Sequence, residues 1–283
     1  MKKIRKLFFE TEMTWKRVLI FAVATAVLTA AILIIPVTAA TSAARIGQTL
    51  EAWILFALII IMNCKSPLEA AIKTVVFFLV SQPLIYLLQV PFSSMGWKLF
   101  SYYPQWFKWT LLCFPGAIIA WLVKKKNIFS AVILSVATGF LAFTAVDDFY
   151  TLISVFPKCL ISCVFCTVLS VGLIFVLLKE KKQRITAGVI TLIVAVASAV
   201  VIFTGEVSGS SQGDYALDSS HSWEVVSVPE NCDAHISDTD NTSLVYSLDK
   251  YGDYTIILRN ELGEETELTI TYNRSSGLTF TEE

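Results

Sequence analysis

The chain contains little charge and almost no histidine. Charged residues make up 16% of its 283 residues, whereas an ordinary soluble domain carries about 25%. Both histidines, His221 and His235, lie in the C-terminal quarter, and no catalytic signature, nucleotide loop or specific metal motif occurs. The low charge excludes a single soluble core, and the missing motifs leave no sign of an enzymatic activity or of a cofactor.

Cysteine is too sparse outside the apolar segments to form a disulfide framework. Only Cys232 lies in the polar C-terminal part, where a lone thiol cannot close an internal bridge. Cys159, Cys163 and Cys166 share one helix face by their spacing. Because no histidine accompanies them and apolar surroundings keep thiols protonated, we interpret them as packing residues rather than as a metal site. No metal site is predicted.

The charge that is present divides into two regions. Residues 1–204 hold 19 of the 22 Lys and Arg residues and seven acidic residues, whereas residues 205–283 hold 16 acidic and three basic residues. The first region contains apolar segments of about 20 residues, the length that crosses a bilayer. This length predicts an α-helical multi-pass membrane protein, and the acidic second region is predicted to form a small extracytoplasmic domain.

Seven apolar segments are predicted to span the membrane. They are Val18–Val37, Ile46–Met62, Leu68–Val90, Phe107–Val123, Ile128–Val146, Cys159–Leu178 and Ala187–Phe203. The predicted domains are 1–17, a basic cytoplasmic N-terminus; 18–204, the transmembrane domain; 205–222, a Gly- and Ser-rich flexible linker; and 223–283, an extracytoplasmic β-sandwich. The first segment also has features of a cleaved signal, with small residues after Pro36, but its length favours an anchor.

Basic residues between the segments predict the orientation. They concentrate in the N-terminus and in every second connection, as in Lys124–Lys126. Because basic flanks resist translocation, we expect a cytoplasmic N-terminus and a C-terminal domain on the opposite side of the membrane. We interpret the basic ends as topology signals and contacts with membrane lipids, and we expect no nucleic-acid partner.

The C-terminal region has the alternating pattern of β-strands. Short runs with period two start at Trp223, and the turn sequence Asn260–Gly263 separates two of them. The cluster Asp233, Asp238, Asp240 and Asn241 raises the question of calcium. It lacks the central Gly and final Glu of a calcium loop, so we interpret it as a solvated acidic loop.

One segment of this region carries a resemblance. Asp249, Gly252 and Tyr254 form a D-x-x-G-x-Y sequence that resembles the corner leading into a late strand of immunoglobulin-like domains. In that corner a tyrosine hydroxyl bonds to backbone upstream, and the resemblance implies this role for Tyr254. It also implies the rest of the predicted fold class, which is an α-helical multi-pass membrane protein with a small all-β, immunoglobulin-like extracytoplasmic domain. The absence of a Cys…Trp…Cys spacing argues against an antibody-type domain.

Four polar side chains within or beside the spans are candidates for an outward-facing pocket. They are Glu51, Gln82, Asp147 and Asp148. Polar groups in a bilayer are costly unless paired, which makes them the first candidates for function. The alternative is interfacial solvation of the acids and a helix–helix hydrogen bond from Gln82.

The connection from Pro91 to Trp109 is rich in aromatic residues. It predicts a short interfacial helix or re-entrant turn, because amphipathic rings settle at the headgroup level. Anchoring alone explains such a segment. The alternative is an aromatic platform for a lipid headgroup or lipid-linked sugar, formed by Trp97, Tyr102, Tyr103 and Trp106.

The membrane part also carries a resemblance. The stretches Ile59–Ala71, Ser81–Tyr86 and Pro91–Phe92 resemble a recurrent group of uncharacterised multi-pass proteins of Gram-positive-type bacteria, and the likeness continues past Gly116. The resemblance implies a bacterial plasma membrane and supplies no mechanism. Within it, Ser66, Pro67 and Glu69 predict a helix start with a capping box.

Three functions are compatible with these features. The acidic outside domain and the lack of catalytic residues favour a non-enzymatic envelope protein that meets an extracytoplasmic protein or a cell-wall partner. The alternative is a transporter or permease-like subunit for a small or lipid-linked solute, held by Glu51, Gln82 and Asp147. The third is an intramembrane transferase or hydrolase using Asp147 and Asp148. No catalytic residue and no cofactor is predicted.

Overall fold

The computed structural model describes residues 2–39, 41–93, 95–204, 211–237, 242–273 and 277–282. They belong to two compact units, one of residues 1–152 and 156–199 and the other of residues 153–155 and 200–283. We call the first the helical unit and the strand-bearing part of the second the β-domain. Three residues of the acidic cluster, Asp238, Asp240 and Asn241, and the linker segment 205–210 lie outside the described residues.

Ten α-helices precede the strands in the described chain. They are α1 (Lys2–Phe9), α2 (Trp15–Ile34), α3 (Pro36–Ala39), α4 (Ser42–Gln48), α5 (Leu50–Asn63), α6 (Pro67–Gln89), α7 (Tyr103–Trp121), α8 (Ile128–Ser154), α9 (Leu160–Leu177) and α10 (Lys181–Thr204). Two 3₁₀ segments, Val90–Phe92 and Gly96–Tyr102, connect α6 to α7. The aromatic connection from Pro91 to Trp109 therefore contains these two 3₁₀ segments and the start of α7, which begins before the predicted span start at Phe107.

Six of the described helices are long and apolar enough to cross a membrane, which suggests a multi-pass membrane protein. They correspond to six of the seven predicted spans. The predicted second span differs, because α4 and α5 form a pair bent by 52° at a short break. The pair makes a seventh span if it is counted as one.

The helical unit is apolar on its outer surface and polar in places inside. Val136, Val168 and Leu192 are 64–75% exposed, whereas the Thr138 and Thr191 hydroxyls meet 2.7 Å apart between α8 and α10. This distribution suits helices that contact lipid on the outside and use small hydroxyl residues between neighbours.

An aromatic cluster holds α2, α5 and α6 together. Trp53 and Phe77 are 2% and 0% exposed. Phe21 stacks on Phe77 with ring centroids 5.3 Å apart, and Phe56 meets Trp53 edge-on at 5.5 Å. Burial of such large rings fixes α5 in the interior of the unit.

Cationic side chains cap helix ends in the helical unit. Lys124 Nζ donates to Cys64 O at 2.7 Å, after α5, and Arg5 Nε and Arg184 Nε donate to Val176 O and Leu178 O, at 3.1 and 2.9 Å, at the end of α9. Cations at helix C-termini satisfy free carbonyls and the helix dipole.

Burial raises the pKa of the Cys64 thiol to about 11, which keeps the thiol protonated.

The predicted start of α6 is confirmed. Pro67 is its first residue, and the Ser66 hydroxyl accepts from the backbone N–H of Glu69 at 3.2 Å. The Glu69 carboxylate accepts from the N–H of Lys65 at 2.7 Å, one residue before the position a standard capping box uses. Pro83 and Pro115 lie inside α6 and α7.

The β-domain contains two antiparallel sheets. Its strands are β1 (Ser211–Ala216), β2 (Trp223–Ser227), β3 (Cys232–Ile236), β4 (Ser243–Leu248), β5 (Gly252–Asn260), β6 (Glu265–Asn273) and β7 (Gly277–Glu282). The sheet orders are β1-β4-β3 and β2-β5-β6-β7. One hydrophobic cluster draws on both sheets, with Leu244 and Leu248 from β4 and Ile256 and Leu258 from β5.

The turns of the β-domain follow the predicted chemistry. Gly263 has φ +85° in the β5–β6 hairpin, a conformation that L side chains rarely adopt. Asn260 Oδ1 accepts from the N–H groups of Leu262 and Glu264 at 3.0 and 2.9 Å. The Tyr254 hydroxyl donates to Lys250 O at 2.8 Å, which confirms the bond that the corner sequence implied.

The structure differs from the sequence interpretation at the linker. Residues 211–216 form β1 and pair with β4, from Ser211 opposite Leu248 to Ala216 opposite Ser243. Gly and Asp in this segment indicated a flexible chain. Alternate side chains of β1 are nonetheless partly buried, and Tyr215 stacks on Phe280 with centroids 4.7 Å apart. Cross-strand and aromatic contacts therefore outweigh its weak intrinsic strand propensity.

Candidate functional site

The break between α4 and α5 is stabilised by specific hydrogen bonds. The Trp53 indole N–H donates to Gly47 O at 3.2 Å, so a carbonyl released at the break has a partner. The Thr49 hydroxyl lies 2.7 Å from Arg45 O and also contacts the Glu51 carboxylate, and its single proton can serve one of them at a time. Irregular backbone inside a helical membrane protein is stable only where it is satisfied in this way or lines a cavity.

Arg45 joins the break to α8 through two carboxylates. Its Nη1 lies 2.7 Å from Asp148 Oδ1, and its Nη2 lies 3.4 Å from Asp147 Oδ2. The Asp148 side chain is fully buried, whereas the Arg45 side chain keeps 38% of its surface exposed. Arg45 Nη1 also lies 3.5 Å from Cys159 Sγ, just before α9. One guanidinium thus connects three segments of the helical unit.

Glu51 is the second buried acid at this break. It lies in the first turn of α5 and is 3% exposed. A carboxylate near a helix N-terminus is favoured by the free N–H groups and the helix dipole. This placement helps an acid to persist inside an apolar helical unit, where burial of a charge is otherwise costly.

A cavity of about 400 Å³ opens beside the break. We call it the charged cavity, because Arg45, Glu51 and Asp147 line it. Its other lining residues include Gln48, Thr49, Gln105, Thr144, Trp106 and Trp109. Asp148 is not among them and lies behind Arg45 as its buried partner.

A neighbouring cavity of about 300 Å³ is lined by Gln82. We call it the amide cavity, because Gln48, Gln82 and Gln89 supply side-chain amides there. Gln82 is 3% exposed, and its Nε2 has no hydrogen-bond partner among the described residues. Gln48 and Trp106 line both cavities. The three acids and one amide singled out from the sequence therefore do not share one pocket. Glu51 and Asp147 line the charged cavity, Gln82 lines the amide cavity, and Asp148 pairs with Arg45.

The four aromatic residues of the proposed platform divide in a similar way. Tyr102 lines the amide cavity and Trp106 lines both cavities. Tyr103 packs against Tyr86, with centroids 6.4 Å apart. Trp97 is 69% exposed and stacks on Phe100 at 5.9 Å. Two of the four rings thus lie at the cavities and the other two do not.

Sequence reasoning missed several residues at the cavities. It singled out neither Arg45 and Gln48 at the break nor Tyr86 and Gln89 of the amide cavity. One signal for Arg45 was present in the sequence, because basic residues are scarce in the predicted outer loops. An arginine in such a loop is a candidate for pairing with a nearby acid. The sequence could not show that the partner would be Asp148, 103 positions further along the chain.

Metal binding has no geometric support in the described part of the chain, where no three His, Cys, Asp or Glu side chains are grouped to hold an ion. Cys163 and Cys166 lie in α9, and Cys159 precedes it in a left-handed conformation with φ +64°. No protein-family model, curated protein or solved structure matches this chain. The resemblance of its membrane part to a bacterial multi-pass group stays a prediction.

Proposed function

We propose that this chain is an integral plasma-membrane protein whose helical unit binds a small polar solute, free or lipid-linked, in the charged cavity. The observation that carries the proposal is the meeting of Glu51, Asp147 and Arg45 on one cavity at a helix break. Ionisable residues within membrane helices are functional by default, and broken helices commonly form transporter binding sites. The role supported is that of a transporter or permease-like subunit.

The charges of this cavity favour a solute with a cationic group. Among the described residues that line it, Arg45 is the one cation, and it is placed against Asp147 and Asp148. Glu51 has Thr49 as its hydrogen-bonding neighbour. Arg45 is not paired with Glu51 in the described structure, so an ammonium group of the solute would be able to pair with the Glu51 carboxylate.

The test is the molecule that purifies with the protein. Wild-type protein and an E51Q/D147N variant would be extracted in native-lipid discs and their small molecules identified by mass spectrometry. We expect a solute or lipid with an amine that is retained by the wild type and lost from the variant. An E180Q variant is the matched control, because Glu180 is an exposed acid away from the cavity. Equal retention by wild type and E51Q/D147N would contradict the proposal.

The proposed orientation places the N-terminus inside and the β-domain outside. It is supported by the basic residues of alternate connections, several of which also cap helix ends. Protease added to intact protoplasts should remove strands β1–β7 and leave the Lys124–Lys126 connection uncut. Cleavage at Lys124–Lys126 with an intact β-domain would reverse the assignment.

The β-domain supports a second candidate function, display of an interaction domain. We propose that it is immunoglobulin-like. Its sheets β1-β4-β3 and β2-β5-β6 follow the order of strands B-E-D and C-F-G of that fold, with β7 added beside the last. The Tyr254 bond at the start of β5 supports the same assignment.

Immunoglobulin-like domains either bind partners or act as spacers, and the fold alone does not distinguish these roles. The excess of acidic residues in this region favours a partner with a basic surface. Photo-crosslinking in intact cells from exposed Thr255 would identify it. Recovery of no extracytoplasmic partner would count against this second function.

A further inference from the structure

The amide cavity lies beside the charged cavity and has a different chemistry. None of the ten described residues that line it carries a charge. Amides come from Gln48, Gln82 and Gln89, and hydroxyls come from Tyr86 and Tyr102. A phosphate or carboxylate group would need a cationic partner that this lining lacks. The lining therefore favours an uncharged ligand with several hydrogen-bonding groups.

Gln82 gives the second, independent sign of a ligand. It is almost fully buried in α6, and its amide nitrogen lacks a hydrogen-bond partner among the described residues. A buried amide donor without a partner is costly, and native structures hold few of them. A ligand oxygen in the adjoining cavity would supply the missing acceptor.

The remaining groups narrow the chemistry of that ligand. A side-chain amide offers both donors and an acceptor, and a tyrosine hydroxyl does the same. A ligand hydroxyl also donates and accepts, so it suits such a lining better than a group of one kind. Trp106 adds a large amphipathic ring against which an apolar face can pack.

We propose that the amide cavity is a binding site for a glycosyl or polyol unit. This goes beyond the proposed function, because it assigns a second cavity and a ligand class of its own. A volume of about 300 Å³ is at the small end of the range for small-molecule sites, which suits one such unit. The unit is either free in solution or the headgroup of a glycolipid.

The experiment uses the full chain in nanodiscs of phosphatidylcholine. One arm adds monoglucosyl-diacylglycerol to the discs, a second adds methyl glucoside to the buffer, and a third adds phosphatidic acid. Thermal unfolding and native mass spectrometry report binding. We expect stabilisation by the glucosyl lipid, with none by phosphatidic acid. Stabilisation by methyl glucoside as well shows that the free unit suffices, and its absence shows that the lipid carrier is needed.

The decisive variant is Gln82→Leu, which keeps the approximate volume and removes the amide. It should unfold at the wild-type temperature or above, because no hydrogen bond from Nε2 is lost. Its affinity for the glucosyl probe should fall about tenfold, the effect of one good hydrogen bond. The matched control is Ser81→Ala at the neighbouring position, which lies outside both cavity linings. It removes a similarly buried hydroxyl that has no hydrogen-bond partner in the described part of the chain. It should bind as the wild type does.

A second variant keeps the proposal testable if Gln82→Leu unfolds. Tyr102→Phe removes only a hydroxyl from a partly exposed ring and should weaken the same probe. The inference is overturned if no glucosyl probe binds the wild type, or if binding is unchanged in both variants. Loss of the copurified amine from E51Q/D147N, with no glucosyl binding, would leave the proposed function standing and remove this inference alone.

Discussion

The helical unit and the β-domain treat buried polar groups in opposite ways. In the described β-domain the buried polar groups are few: Asn260 forms hydrogen bonds within a turn, and the buried Tyr254 ring donates its hydroxyl to Lys250 O. The helical unit buries Glu51, Gln82 and Asp148 together with many hydroxyl groups. Burying a charged or amide side chain costs free energy unless the group is paired. This difference supports the proposal that the helical unit keeps its polar groups for a ligand.

The strongest test on the β-domain side of this comparison is Ile256→Ala. Ile256 is fully buried between the two sheets. Its truncation should lower the free energy of unfolding of the β-domain by about 2–5 kcal/mol, through lost burial and the cavity left behind. Hydrogen exchange of the full chain, resolved by peptide, measures the effect. Exposed Thr255→Ala is the control, and equal effects of the two substitutions would show that no tight core exists there.

The next test breaks the ion pair at the helix break. Arg45→Gln leaves the buried Asp148 carboxylate without its cation, a change that costs several kcal/mol in a closed interior. Because the Arg45 side chain is partly exposed, solvent screening should reduce the loss to about 2 kcal/mol. Thermal unfolding of the full chain in discs measures it.

A second substitution separates charge from packing. Asp148→Asn in the Arg45→Gln background should recover part of the stability, because the unpaired acid is gone. Lys98→Gln, which removes an exposed cation, should change little. If the double variant is no more stable than Arg45→Gln alone, Arg45 acts through packing and not through the ion pair.

The two regions also differ in how far the sequence predicted them. Six spans followed from apolar length alone, and the β-hairpins followed from alternation and turn residues such as Gly263. These signals are local, and each depends on a few consecutive residues. The Tyr254 bond could be predicted for the same reason, since its acceptor lies four residues upstream.

The break at Thr49 and the pairing of Arg45 were not predicted. An apolar run from Ile46 to Met62 predicts one helix. The hydrogen bonds that stabilise the break, from the Trp53 indole and the Thr49 hydroxyl, are seen only in the structure. The strand β1 was missed because its pairing with β4 is non-local. Among the candidate residues, the pairing of Asp148 with Arg45 and the separate cavity at Gln82 depend on tertiary contacts.

Tyr254→Phe tests a smaller contribution to the β-domain. It removes the hydroxyl that donates to Lys250 O and keeps the buried ring. We expect the free energy of unfolding to fall by about 1 kcal/mol, the usual worth of one hydrogen bond. Peptide-resolved hydrogen exchange at β5 measures it. An unchanged stability of the Tyr254→Phe domain would remove the support that this bond gives to the immunoglobulin-like assignment.

The smallest expected effect concerns the one cysteine of the β-domain. Burial, and then the nearby Asp233 and Asp249 carboxylates, raise the pKa of the Cys232 thiol. Because the raised pKa lowers the thiolate fraction at neutral pH, alkylation of Cys232 by iodoacetamide should be slower than that of an unstructured peptide thiol, and should rise with pH beyond 9. The neutral thiol is the form that folding favours, so its contribution to stability is present below the unfolded pKa and lost as pH rises through the folded pKa. Peptide mass spectrometry on the intact protein measures the rate, and Asp249→Asn should increase it at constant pH. A rate equal to that of the free peptide, unchanged by Asp249→Asn, would show that neither burial nor charge acts on this thiol.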